Sequence, residues 1–156
     1  MTQENKELLL KDLSARLPYE VKVHAKYVDT DNEVEKVGVL SVIDYDGVSA
    51  FTCDDTNCYH YVDIHEVKPY LFPLSSMSEE QKEEFYKFFE EGITESANET
   101  RQWLRTKRAD ETIRPITIAY VMVHELVIEW LNKNHFDYRG LIPMGLAIDC
   151  TNLNIY

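Results

Sequence analysis

The first chemistry this chain offers is thiolate beside imidazole. Cys53, Cys58 and His60 lie within eight residues of one another, with Asp54, Asp55 and His65 close by. Cysteine sulfur and histidine nitrogen are the donors zinc prefers, and a bound zinc would supply an activated water for hydrolysis of a small substrate. The spacing Cys-x4-Cys-x-His presents three ligands, whereas a structural zinc site takes four. The other reading needs no metal. A strand–turn–strand hairpin brings Cys53 and Cys58 together, and free cysteine behaves as a small buried hydrophobe.

A second cluster is His135-Phe-Asp-Tyr-Arg139, in which His135, Asp137, Tyr138 and Arg139 could line a binding pocket. The same residues could instead hold a tight turn, with Phe136 and Tyr138 packed on the core and Asp137 and Arg139 pairing or capping helix ends. His124-Glu125 begins like a zinc-protease helix, but position 128 is Ile, and that chemistry needs a second imidazole one turn on. Asp44-x-Asp46-Gly47 lacks the twelve-residue loop of an EF-hand and reads as a hairpin turn. The sequence contains neither a glycine-rich phosphate loop nor a Gly-x-Ser-x-Gly elbow, and no cofactor is expected.

The elements that must position these residues follow from hydrophobic period. Leu9, Leu10, Leu13 and Leu17 fall at helical spacing, so residues 3–17 form a helix that Pro18 ends. Between 20 and 72 the period shortens to two: Val21, Val23, Ala25 and Tyr27 alternate with Lys22, His24 and Lys26. Four or five short strands joined by Asp/Asn/Gly turns predict a small antiparallel barrel of SH3-like type, or a curled sheet. Pro69 confines the last of them to an edge.

Ser78 with Gln81 is a capping box, opening a helix that buries Phe85, Phe88 and Phe89 and stops at Gly92. Residues 93–114 gather Arg101, Arg105, Lys107, Arg108 and Arg114 and read as a helix or an excursion. Pro115 opens a nearly all-apolar helix, with a strand over 116–123 as the alternative, and Asn134 can take its left-handed cap. The expected fold is therefore α+β in one domain over residues 1–156: helix 3–17, barrel or sheet 20–72, and a mainly helical part 78–156.

The chain has 156 residues and a net charge of −12. That balance argues against direct nucleic-acid binding, which concentrates Lys and Arg, and suits a protein partner of basic character. The helix acids from Glu79 to Glu99 are a solvated face, or a surface that docks on a basic protein by imitating DNA phosphates. An odd cysteine count of three argues against a disulfide framework. With no signal segment and no apolar run of membrane length, the expected place is the cytoplasm.

Three stretches resemble a known group of proteins. They are Glu7-Leu-Leu-Leu-Lys-Asp-Leu-Ser-Ala-Arg-Leu-Pro18, then Lys68-Pro-Tyr-Leu-Phe-Pro-Leu-Ser-Ser-Met-Ser-Glu-Glu-Gln81, then Trp130-Leu-Asn-Lys-Asn-His-Phe-Asp-Tyr-Arg-Gly-Leu-Ile142 with Gly145-Leu-Ala147. The resemblance is to an uncharacterised family of short acidic proteins from gut Bacteroidales and from their phages and mobile elements. It implies a bacterial or phage accessory protein acting inside the cell, and it carries over no catalytic residue. Pro143-Met144 departs from the family's charged pair, and 93–114 is peculiar to this chain. The function expected from the sequence is a non-enzymatic protein-interaction module. A metal-dependent hydrolase built on Cys53–His65 and an acidic DNA mimic are the alternatives.

Overall fold

The structure is a computed structural model that describes residues 1–29, 31–44, 48–53, 59–106 and 115–156, without the side chains of 29, 48–53, 59, 95–106 and 115–123. The chain divides into two compact units, Met1–Ser76 with Asn132–Tyr156, and Met77–Leu131.

The first unit is α+β. Helix α1 spans Gln3–Arg16, and the Thr2 hydroxyl caps it by accepting the Asn5 N–H at 3.2 Å. Its stripe Leu9, Asp12, Leu13 and Arg16 has the i, i+3, i+4, i+7 spacing of one face, and all four residues are buried. Leu9 and Leu13 join a core with Val21, Val23, Ala25 and Leu71 from the sheet. A 3-10 turn at Leu17–Tyr19, with Pro18 inside it, ends the helix as the proline requires.

Five strands follow: β1 (Lys22–Asp29), β2 (Asn32–Ile43), β3 (Val48–Cys53), β4 (Tyr59–Asp63) and β5 (Val67–Pro73). Two-residue strands β6 (Phe136–Asp137) and β7 (Ile148–Asp149) come from the far end of the chain. The alternation expected for β1 holds: Val23 and Ala25 are buried, while Lys26 and Val28 lean outward. In β2 the register with β3 shifts between Leu40 and Val42. The shift turns the strand over, so that Leu40 is buried and Val42 is exposed.

The sheet runs β4-β3-β2-β1-β5-β6, with β7 also on β5. β1 to β5 are antiparallel neighbours, but β6 and β7 run parallel to β5. The sheet is therefore mixed. Among the described residues no pairing joins β4 to the other end, so the expected barrel is not closed. Nor is β5 an edge. It pairs with β1 through Val67–Pro69 and with β7 and β6 from Tyr70 to Pro73. Pro69 sits where the ladder passes from one side to the other, a place that asks no donor of it on the β7 side.

In the second unit, helix α2 spans Glu79–Thr106 and α3 spans Pro115–Lys133, so the strand alternative for 116–123 is excluded. The capping box forms as expected: Gln81 N–H donates to the Ser78 hydroxyl at 3.2 Å, and Ser78 N–H to Gln81 Oε1 at 2.9 Å. Phe85 stacks on Phe89 and meets the Trp130 ring edge-on at 5.0 Å. The helix does not stop at Gly92. That glycine lets α3 approach closely, since a β-carbon there would run into the Leu126 side chain. The end of α3 also differs from expectation: the left-handed residue is His135 (φ 58°), not Asn134. Residues 107–114, with Lys107, Arg108 and Arg114, lie outside the described residues. Among the described residues no helix is long and apolar enough to cross a membrane.

Candidate functional site

Two places in the first unit concentrate chemistry. The first is built by the three sequence stretches singled out above, which the fold brings to one locus. β5 lays Phe72 beside Phe136 and Pro73 beside Asp137, and Phe72 N–H donates to the His135 carbonyl at 2.9 Å. α1 delivers Asp12 and Arg16 to the same place. Arg16 donates to both Asp12 carboxylate oxygens, at 2.7 and 3.2 Å, and to the Phe136 carbonyl at 2.8 Å. Arg139 Nε lies 3.2 Å from Asp12 Oδ1, and its guanidinium donates to the Tyr138 hydroxyl at 2.8 and 3.1 Å.

Asp137 does not pair with Arg139. Its two oxygens accept the N–H groups of Leu141 and Ile142, each at 2.8 Å. That turn is closed by Gly140 and Gly145, both at positive φ. Two buried carboxylates thus offset two guanidiniums, which is what the low-dielectric interior requires. Arg16 Nη1 finds no acceptor among the described residues.

His135 stacks on the Tyr156 ring at 4.0 Å between centroids and 12° between planes. Its Nδ1 is buried without a partner among the described residues. The tautomer protonated on Nε2 leaves only a lone pair there, and no orphaned N–H. Burial, helped by the Arg16 charge, lowers the imidazole's pKa to about 4. Tyr156 is 45 % exposed as a residue, yet its hydroxyl turns inward. It accepts from Lys22 N–H and donates to the Tyr70 carbonyl, both at 3.0 Å, and burial raises its pKa. Cys150 is buried, and burial together with Asp149 pushes its thiol up to about 11, which makes it a poor nucleophile. Asp137, Tyr138 and Arg139 are thus engaged by hydrogen bonds or ion pairs within the fold, and His135 by its stacking on Tyr156.

The metal candidates are distributed differently. Cys58 and the Cys53 side chain lie outside the described residues. His60 Nδ1 is 3.0 Å from the Tyr27 hydroxyl, and His65 Nδ1 is 3.9 Å from Asp63. Among the described residues no group of three or more His, Cys, Asp or Glu is placed to hold a metal ion.

The second place was not singled out from the sequence. A groove of about 550 Å³ lies at the outer side of β1, lined by His24, Lys26, Val28, His65, Lys68 and Ile148 together with Tyr27, Glu33 and Glu66. Lys26 is held by Glu33 and Glu35, each at 3.2 Å, and those contacts raise its pKa and lower that of Glu35. His24 approaches Glu35 at 3.5 Å. The exposed side chain of Lys68 has no ion pair or hydrogen bond among the described residues. The signal that could have found the groove is the alternation itself: Val28 continues the polar face of β1 as an apolar residue, 67 % exposed. No protein-family model, curated protein or solved structure matches this chain.

Proposed function

We propose that the protein is a non-enzymatic interaction module that docks a protein partner on the groove at the outer side of β1. The observation that carries this reading is the contrast between the two polar places. At the buried one, Asp12, Asp137 and Arg139 are spent on holding the chain together. At the open one, an exposed valine and an unpaired lysine face a concave surface. Exposed apolar area rimmed by charge is the usual mark of an interaction surface. The resemblance to bacterial and phage accessory proteins adds a cytoplasmic setting to the proposal, and the net charge of −12 favours a partner with an overall basic surface.

The test compares wild-type protein with Val28→Asp and Lys68→Glu as baits in a bacterial lysate. We expect a protein retained by wild type at low and moderate salt and lost by both variants. Retention of nothing, or of the same proteins by all three baits, refutes the reading.

A further inference from the structure

The groove lies where one strand outruns its neighbour. β1 pairs with β2 along its whole length, from Lys22↔Val39 to Asp29↔Asn32. Its pairing with β5 begins at Val23↔Pro69 and ends at Ala25↔Val67. Backbone parity shows which groups are left over. The Val21 carbonyl accepts Leu40 N–H from β2, so odd-numbered residues of β1 turn their backbone groups to β2. Even-numbered residues turn theirs to the β5 side, as Lys22 N–H does in donating to Tyr156. Val28 is even, lies beyond the last β5 pair, and has no strand opposite it there among the described residues. Lys26 to Asp29 is about 10 Å of strand, the length of three or four extended residues.

We infer that this open edge takes an extended peptide segment as an added strand in line with β5, one carrying a single carboxylate beside an apolar side chain. Main-chain hydrogen bonds to Val28 would supply affinity, and side-chain contacts would supply selectivity. The apolar side chain meets Val28 and Ile148. The carboxylate meets Lys68, since Lys26 and His24 are already matched by Glu33 and Glu35. Glu66, also in the lining, accepts the Asp63 N–H, so one carboxylate suits the one lining lysine without an ion pair, whereas a run of acids would be repelled by the net charge of −12. The shortness of the edge and the Lys26 side chain on it limit open-ended sheet growth. This inference rests on the groove being the docking site, and it names what docks there.

The experiment uses fluorescence anisotropy with a labelled, end-capped peptide Ser-Thr-Val-Glu-Val-Thr. Its partners in the comparison are the Glu→Gln peptide, a peptide N-methylated at each valine, and free octanoate as competitor. We expect saturable binding to wild type, weaker by about three- to tenfold for the Glu→Gln peptide and for Lys68→Gln protein. N-methylation, which removes the strand's donors, should abolish it. Val28→Pro, its fold checked by circular dichroism, should act likewise; if it unfolds, the N-methylated peptide alone decides. No saturable binding, equal binding of the N-methylated peptide, or indifference to Lys68→Gln overturns the inference. So does displacement by octanoate as effective as by unlabelled peptide, which would assign the groove to small apolar acids. If partner retention still depends on Val28 while the peptide fails, the docking site stands and the strand-addition inference falls.

Discussion

Acid should destabilise the first unit through His135, by an amount the structure sets. The imidazole is folded neutral, with its pKa lowered to about 4 by burial and by Arg16. In the unfolded chain it titrates near an ordinary value of about 6.5. A proton therefore binds the unfolded chain first. The stability that depends on the neutral ring is whole above pH 6.5, and it is lost as pH falls towards 4. At pH 5 the linkage relation gives a loss of about 2 kcal/mol relative to pH 7.5, and water access to a half-buried ring brings it to roughly 1–2 kcal/mol. His135→Asn isolates the effect, because asparagine tolerates φ 58° and cannot titrate. The assay is urea unfolding of both proteins at pH 7.5 and pH 5, followed by tyrosine near-ultraviolet circular dichroism. Tyrosine is the right probe because both tryptophans, Trp103 and Trp130, belong to the other unit. Carboxylate titrations common to the two proteins cancel in the difference. Wild type should lose about 1–2 kcal/mol more than the variant. Parallel losses, within about 0.3 kcal/mol, refute the assignment, as does a His135 ring that titrates above pH 6 by NMR in the folded protein.

Asp12→Ala should cost about 3–5 kcal/mol in unfolding experiments, because it strands Arg16 in the interior and removes the Arg139 contact. Asp12→Leu with Arg16→Met should recover at least half of that loss, which a double-mutant comparison reads directly. Asp137→Ala removes two charge-assisted bonds to backbone N–H groups and should cost about 2–4 kcal/mol, with Asp137→Asn losing about half as much. Gly92→Ala sets a helix-propensity gain of about 1 kcal/mol against the Leu126 side chain. It should destabilise the wild-type background and stabilise a Leu126→Ala background, as followed by tryptophan fluorescence.

Much of the first unit was legible because period decides it. The leucine spacing placed α1, and the alternation of Val21, Val23 and Ala25 placed β1. What the residues could not show was which distant segments join the sheet. β6 and β7 are two residues long, too short for any period, and they pair across more than sixty positions. The barrel is not closed among the described residues: β7 takes the side of β5 away from β1, and β6 takes the other side where β1 has ended. In sequence, a glycine near a helix end and a glycine at a helix crossing look alike, which is why Gly92 reads as a stop. A clue to the buried lock was present. Asp12 and Arg16 occupy the same face as Leu9 and Leu13, and charged residues at core positions of an amphipathic helix need partners inside. At 135–139, Asp137 neither pairs with Arg139 nor caps a helix end but holds a backbone turn through the N–H groups of Leu141 and Ile142, a role that residue types alone do not distinguish.

The two places of interest are tied by one edge of one strand. The β5-facing side of β1 divides into three successive stretches. At Lys22 the N–H is met by the Tyr156 hydroxyl, which also holds Tyr70 of β5. From Val23 to Ala25 the neighbour is β5 itself. At Val28 there is no strand opposite among the described residues. A fold whose purpose was only to close its sheet would carry β5 two residues further. Instead the chain arrives at β5 through a 3-10 turn, Ile64–Glu66, in which Glu66 accepts the Asp63 N–H at 3.0 Å. That capping box stops β5 short of the end of β1, and it places His65 and Glu66 as the groove's wall.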